Sequence, residues 1–243
     1  MRKVLKNSPI PLHYQLKEII QEMIENEELK PGDLLPTERE LCEIQGISRM
    51  TANKAILSLV NEGLLYREQG RGTFIAEPKI NQQLSELKGF TEEMRGKGYN
   101  TSSKILSFRI KEVTKNNSII LNLDYGKDLV FEIDRLMIID NEPFVIEKVT
   151  IPENLCKNLT IEKIQDNSLY KVLKNDYGYS ITNAKQTIEP VILSEEQCKL
   201  LNQKKDSLAL LFRRTAYIEN NVPIEYTKSF YRSDKYKYEV TLK

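Results

Sequence analysis

The sequence predicts an α+β chain in two parts, and three observations predict it. Residues 11 to 75 carry helical patterns with an apolar face and end in a glycine-rich hairpin. From about residue 89 onward, short runs alternate apolar and polar side chains, and the polar stretch Glu77 to Leu87 separates the two styles. With 243 residues and 40% hydrophobic content, the chain is long enough to bury two cores.

The first helix is expected from Pro11 to about Asn26, with Leu12, Leu16, Ile19, Ile20, Met23 and Ile24 on one face. Pro11 suits a first turn, and Pro31-Gly32 forbids continuation. Thr37 and Glu40 form a capping box, so a second helix starts at about Glu38, and Leu41 and Ile44 give it one apolar face. Gly46 lets the chain turn, and Ser48 offers the next N-cap. The third helix runs to about Asn61, and Ala52, Ala55, Ile56, Leu59 and Val60 form a single inward stripe. Gly63 closes it. Leu64, Leu65 and Tyr66 then begin a strand, Gly70-Arg71-Gly72 supplies positive φ on both sides of a cation, and Thr73, Phe74 and Ile75 return.

Two short helices, a tight turn and a hairpin in this order make a winged helix-turn-helix, whose partner is double-stranded DNA. Arg49, Met50, Asn53 and Lys54 fall near the outer side of the third helix, in its first turns, where a recognition helix presents base-reading side chains. Arg71 falls at the wing tip. Thr37 and Ser48, at the two helix starts, complete the candidate set.

Bulk charge adds little: the chain has 36 basic and 35 acidic residues, and residues 1 to 79 hold 11 and 12. The acids gather at Glu22, Glu25, Glu27 and Glu28, whereas Arg39, Arg49, Lys54, Arg67 and Arg71 occupy the expected DNA side. Binding should then depend on a matched site and on dimerisation.

Other classes are disfavoured by what the sequence lacks. No apolar run approaches the roughly 18 residues of a membrane span, and the first residues are polar, so a cytoplasmic protein is expected. Cys42, Cys156 and Cys198 are odd in number and widely spaced, as reduced thiols are. His13 is the only histidine, which argues against a His-based triad or a multi-histidine metal centre. No cofactor, metal or catalytic group is expected.

Domains are expected at 1–76 for the winged head, 77–88 for a linker, and 89–243 for an α+β domain with a mostly antiparallel sheet. Strand patterns run at about 103–110, 129–139, 144–152, 179–189, 208–219 and 223–232, with brief helices near 91–97, 115–123, 168–176 and 194–203. A weak repeat relates Arg135, Ile139-Asp140-Asn141, Pro143 and Glu147 to Arg214, Ile218-Glu219-Asn220, Pro223 and Glu225, each segment a hairpin turning on an acid and an Asn. Alternation puts Arg135 in phase with Phe131, Ile133, Met137 and Ile139, Glu147 with Val145, Val149 and Ile151, and Glu225 with Thr227, Ser229 and Tyr231. Charges on apolar faces need partners. Two accounts fit: a structural Arg135–Glu147 ion pair, or a polar pocket in which Arg135 holds an anion, Glu147 and Glu225 accept from hydroxyl or amino groups, and Tyr231 forms a wall.

The head resembles the GntR regulators in Pro11, Tyr14, Gln15, Pro31-Gly32, Leu35-Pro36-Thr37-Glu38-Arg39, Ser48-Arg49-Met50-Thr51, Leu59, Gly63 and Gly70-Arg71-Gly72-Thr73-Phe74. The resemblance implies that Arg39, Arg49, Thr51 and the wing from Gly70 to Gly72 contact DNA, with Arg49 reading a guanine edge. It departs at Asn53, where the family usually has Arg. Residues from about 85 to 236 resemble the effector domain of the HutC subfamily (UTRA), which implies a chorismate-lyase-like fold. Within it, Gly89 to Met94, Ser168-Leu169-Tyr170, Ala184-Lys185-Gln186, Ile188-Glu189-Pro190 and Lys228 to Arg232 are similar to repressors of amino-sugar utilisation. That similarity implies Thr91, Arg135, Ser168 and Tyr170 around the phosphate of an amino-sugar phosphate, and Glu147, Glu225 and Tyr231 around the sugar. It departs at Met137, where a second Arg is expected, so the effector is either a sugar phosphate or an uncharged sugar. The resemblance also implies a homodimer through the C-terminal domains, released from a palindromic operator by its effector; Thr91, which follows the linker directly, is placed to cap the helix 91–97 and pass on the signal. An enzyme domain fused to a DNA-binding head, or a domain that only dimerises, are the alternatives.

Overall fold

The computed structural model describes residues 1–83 and 87–241, Gln83 by its backbone only. Residues 84–86 of the expected linker therefore lie outside the described residues. The chain gathers into two compact units, Met1–Gln82 with Asp234–Lys237, and Gln83–Ser233 with Tyr238–Lys243.

The first unit contains α1 (Leu12–Glu25), α2 (Glu38–Gln45), α3 (Arg49–Asn61), β1 (Leu65–Glu68) and β2 (Gly72–Ile75). Both expected caps form: Thr37 and Glu40 make the reciprocal capping box of α2, and Ser48 accepts from the Thr51 amide. Gly46 ends α2 at φ 64°, a left-handed turn that places α3 across it. Leu16, Ile20, Leu41, Ala55, Ile56 and Leu59 meet in one apolar core. Two buried amides pin the first residues of the chain to it, Gln45 accepting from the Val4 amide at 2.9 Å and Gln15 from the Leu5 amide at 2.8 Å. The wing pairs Leu65 with Ile75 and Glu68 with Gly72, and Leu35 N donates to Thr73 O at 2.8 Å along its free side. Gly72 has φ 132°, and a Cβ there would lie 2.6 Å from Leu34 Cδ1, so the tip closes only on glycine.

Next comes β3 (Ile80–Gln83), inside the stretch expected to be a linker, with Ile80 to Gln82 belonging to the first unit. The second unit continues with α4 (Phe90–Gly96), β4 (Thr101–Glu112), α5 (Lys115–Leu121), β5 (Leu129–Ile139), β6 (Glu142–Pro152), α6 (Ile161–Ile164), α7 (Leu169–Tyr177), β7 (Asn183–Ile192), α8 (Glu195–Leu200), β8 (Leu208–Tyr217) and β9 (Pro223–Arg232), and is followed by β10 (Tyr236–Glu239). Six strands form one sheet in the order β4-β5-β6-β9-β8-β7, every neighbour antiparallel. Strand β7 starts at Asn183, not 179, because Gly178 ends α7 in the left-handed region and Tyr179 N bonds back to Leu173 O at 2.9 Å. The β5–β6 hairpin turns on Asp140 and Asn141, both at positive φ, as its sequence predicts. The β8–β9 turn instead uses Asn220 and Asn221 at positive φ, leaving Glu219 outside that pair. Strand β3 pairs with β10, Ile80 N donating to Lys235 O at 2.8 Å.

Side chains in register define the sheet faces. One row runs Ile105, Arg135, Glu147, Ser229, Phe212, Ile188, and the next Phe108, Ile133, Val149, Thr227, Arg214, Gln186. Leu169, Val172 and Leu173 of α7 and Ile164 of α6 pack on this face, against Phe131, Ile133, Val149 and Ile151. On the other face Leu136, Ile146 and Ala209 meet Leu193, Cys198 and Leu201 around α8. All three cysteines are free, and burial pushes the Cys156 thiol up to about 12, which keeps it protonated.

Candidate functional site

On the head, α3 presents its first turns outward. The Arg49 side chain is 81% exposed and Met50 is 70% exposed. Arg39, on α2, is 83% exposed and pairs with Glu43 at 3.1 Å, a surface contact that water weakens. Thr51 Oγ1 lies 2.8 Å from Ser48 Oγ, so these hydroxyls, like that of Thr37, hold helix ends as well as facing solvent. Asn53 is half-buried and donates to Glu38 Oε1 at 2.6 Å. At the wing, Gly70 has φ 76° with open space around it, and Arg71 pairs with Glu68 while its guanidinium lies 5.6 Å from the Phe74 ring centre. Arg39, Arg49, Met50 and Arg71 are thus exposed on the head, Arg49 and Met50 in the first turn of α3.

The second constellation lies on the inner sheet face. Arg135 Nη2 donates to Glu147 Oε2 at 2.5 Å, with side chains 7% and 9% exposed, so the ion pair expected in one account forms. It does not satisfy the site. Arg135 Nε is buried without a partner, and so is Glu225 Oε2, while Glu225 Oε1 accepts from Thr227. Burial raises the Glu225 carboxyl above its ordinary range, against the opposing pull of Thr227 and Arg214. Tyr231, also buried, packs edge-on against Phe212 at 4.8 Å and faces Phe90 of α4 at 6.1 Å between ring centres. Burial, with Glu225 nearby, likewise raises the Tyr170 phenol, so it remains a neutral donor.

Thr91, Ser168 and Tyr170 approach from the helices. Ser168 caps α7, and a Cβ on Gly89 would lie 3.5 Å from Ser168 Oγ and 3.8 Å from Tyr170 Cδ2. Thr91 is buried next to this approach, but it does not cap α4: Gly89 is the N-cap and Phe90 the first helical residue. The expected helix 91–97 starts one residue early, because the extended backbone at Gly89 already ends the preceding segment.

Arg214 belongs with these residues; outside the set expected around the effector, it was, with Lys228, a cation that could stand in for the one missing at Met137. Its Nε donates to Gln186 Oε1 at 2.7 Å, and its Nη1 reaches Lys88 O at 3.3 Å and Tyr170 Oη at 3.5 Å. The signal was present, since Arg214 is the repeat equivalent of Arg135 and alternates with Phe212 and Ala216. Met137 is 1% exposed on the same face as Arg135, in register with Ser103 and Val145. The two arginines therefore come from β5 and β8. Among the described residues, no group of three metal-ligating side chains could hold a metal ion, and no helix is long and apolar enough to cross a membrane.

Comparison with known proteins agrees with both halves. The gntR family of bacterial regulatory proteins matches residues 12–75, and the UTRA domain matches residues 96–237. The HTH-type transcriptional repressor NagR of Bacillus subtilis (strain 168) is 38% identical over 96% of this chain and 95% of its own. The mannosyl-D-glycerate transport/metabolism system repressor MngR of Escherichia coli (strain K12) is 29% identical over 94% of each. PhnF from Mycobacterium smegmatis, covering 95% of this chain and 98% of its own, superposes with a TM-score of 0.66 at 24% identity, which speaks for the fold alone. The chain belongs to the GntR family of DNA-binding transcriptional regulators, carrying that family's winged head followed by a UTRA domain.

Proposed function

We propose that this regulator is a dimeric repressor of sugar or amino-sugar utilisation genes, released from a palindromic operator when a small sugar or sugar phosphate binds the inner sheet face. The observation that carries the effector half is the pair of orphaned buried groups, Arg135 Nε and Glu225 Oε2, on one face of the sheet. Each unmade bond of this kind costs about 1–3 kcal/mol, and a hydroxylated ligand offers an acceptor to the first and a donor to the second. In this reading Thr91, Arg135, Ser168 and Tyr170 take the phosphate or other polar end, and Glu147, Glu225 and Tyr231 take the ring. Arg214 supplies the second cation that Met137 does not. The name of one relative, the mannosyl-D-glycerate transport/metabolism system repressor, supports a sugar-linked role.

On the DNA side, Thr37, Arg39, Ser48, Arg49, Met50, Thr51, Asn53, Gly70, Arg71 and Gly72 form the docking face. Two heads related by a two-fold axis fit half-sites about one helical turn apart. An effector that favours the arrangement with misplaced heads weakens operator binding by its differential affinity, about 1–3 kcal/mol.

The test is an anisotropy titration of a duplex selected from a random pool, repeated with a panel of sugars, amino sugars and their phosphates. One compound should weaken DNA binding and raise the melting temperature. A panel that changes neither leaves the domain an assembly module and sinks the effector reading; consumption of a sugar would make it an enzyme. Arg49→Ala should cost about 1–3 kcal/mol per half-site and relax base preference.

A further inference from the structure

The docking face of the head contains an acid. Glu38, the first residue of α2, is half-buried, and its Oε1 accepts from Asn53 Nδ2 on α3 at 2.6 Å and from Arg67 Nη2 on β1 at 3.1 Å. Arg49 Nε lies 3.9 Å from its other oxygen. A carboxylate is repelled by DNA phosphates, so bulk attraction gives no reason for one here. Its geometry does. Glu38 ties the start of α2, the outer side of α3 and the wing strand to one point.

Asn53 follows Arg49 by four residues, so the two share a side of α3. The bond to a carboxylate fixes which end of the Asn53 amide is the nitrogen, since only the amino end can donate. One N–H is used. A second N–H and the carbonyl Oδ1 have no protein partner among the described residues. A free acceptor beside a free donor in one plane is the pattern that pairs bidentately with the amino group and N7 of adenine in the major groove. We infer that Asn53 specifies an adenine in each half-site and that Glu38 is the residue that positions its amide. The assignment rests on the proposed docking of α3.

It also explains what becomes of Arg67. Held by Glu38, that guanidinium braces the carboxylate from the wing side, so β1 and α3 keep a fixed spacing at the DNA.

The test uses the full chain, with DNA selected from a random pool and single-base variants of the winning duplex titrated by anisotropy. Wild type should select adenine at one position per half-site and bind a guanine replacement there roughly tenfold more weakly. Asn53→Ala should make that position indifferent and leave preferences elsewhere intact. Glu38→Ala should do the same although Asn53 remains. Glu38→Gln keeps an acceptor for the amide, so it should retain the adenine preference and bind every sequence more tightly, having freed Arg67 and Arg49 of a counter-charge.

An Asn53→Ala protein with the wild-type preference at every position overturns the reader assignment, and a Glu38→Ala protein with that preference overturns the positioning role. Arg49→Ala separates the levels. If it weakens binding while Asn53→Ala changes nothing, only the adenine assignment fails; if neither changes anything, the docking of α3 is wrong.

Discussion

Replacing Arg135 by methionine removes one half of a buried ion pair. Arg135 and Glu147 meet at 2.5 Å with side chains 7% and 9% exposed, in register among Ile133, Met137, Val145 and Val149. After the substitution the Glu147 carboxylate has lost its counter-charge and has no water to return to. Breaking such a pair from one side costs about 3–5 kcal/mol. In a chain of this length each kcal/mol is worth roughly 2–4 °C, so the effector unit should melt roughly 6–20 °C lower. Glu147→Met strands the arginine and should cost a similar amount. The double replacement removes both charges and fills the space with apolar atoms, an exchange that is often neutral or stabilising by about 1–4 kcal/mol. It should melt near or above wild type. Urea and thermal unfolding of the four proteins close the cycle. An Arg135→Met protein within about 1 kcal/mol of wild type, or a double variant as unstable as the two singles combined, refutes the reasoning. The double variant also separates stability from signalling, because it should fold and bind DNA yet ignore the effector.

Three further outcomes are expected. Glu225 has a folded-state value raised by burial above its ordinary 4.5, so its charge opposes folding once the pH passes that value. Glu225→Gln should therefore melt higher than wild type at neutral pH, and the advantage should shrink to nothing as the pH falls below the ordinary value; an advantage that does not change with pH would falsify this. Gly72→Ala combines a φ of 132° with a Cβ 2.6 Å from Leu34 Cδ1, so it should destabilise the wing by about 1–3 kcal/mol and weaken operator binding, read by melting and anisotropy. Met137→Arg adds a cation two residues from Arg135 on the same face; by calorimetry a phosphorylated effector should gain about 1.5–3 kcal/mol and its unphosphorylated sugar nothing, and equal gains would remove the phosphate from the site.

What the sequence made legible was local. Thr37, Glu40 and Ser48 announce helix starts through bonds that span three residues, and all of those bonds form. Strands 129–139 and 223–232 are matched at both ends, because long alternation on these strands is bounded by turn residues that tolerate positive φ. The same alternation gave Arg135, Glu147, Glu225 and Tyr231 their phase on each strand, and the register brings those phases onto one buried face. Non-local pairings were illegible. Strands β3 and β10 are four residues each and pair with one another from opposite ends of the sheet domain's sequence. Arg214 joins the site through Tyr170, a residue on a helix that the sheet pattern cannot place. Thr91 failed as a cap because a threonine near a helix start looks alike one residue before and one after it. Asn53 looked like a lost arginine; its bond to Glu38 needed the angle between α2 and α3.

The pairing of β3 with β10 has a consequence for synthesis. Ile80 takes its hydrogen-bond acceptor from Lys235, and the whole six-stranded sheet is translated between them. A growing chain can complete the three helices and the wing while still attached to the ribosome, but β3 has no partner until nearly all of the sequence has emerged. The segment leaving the head is thus among the last to be set, after a closure whose entropic cost comes before any contact rewards it. Substitutions at residues 235–239 should therefore act at the exit of the head while leaving its helices and wing untouched.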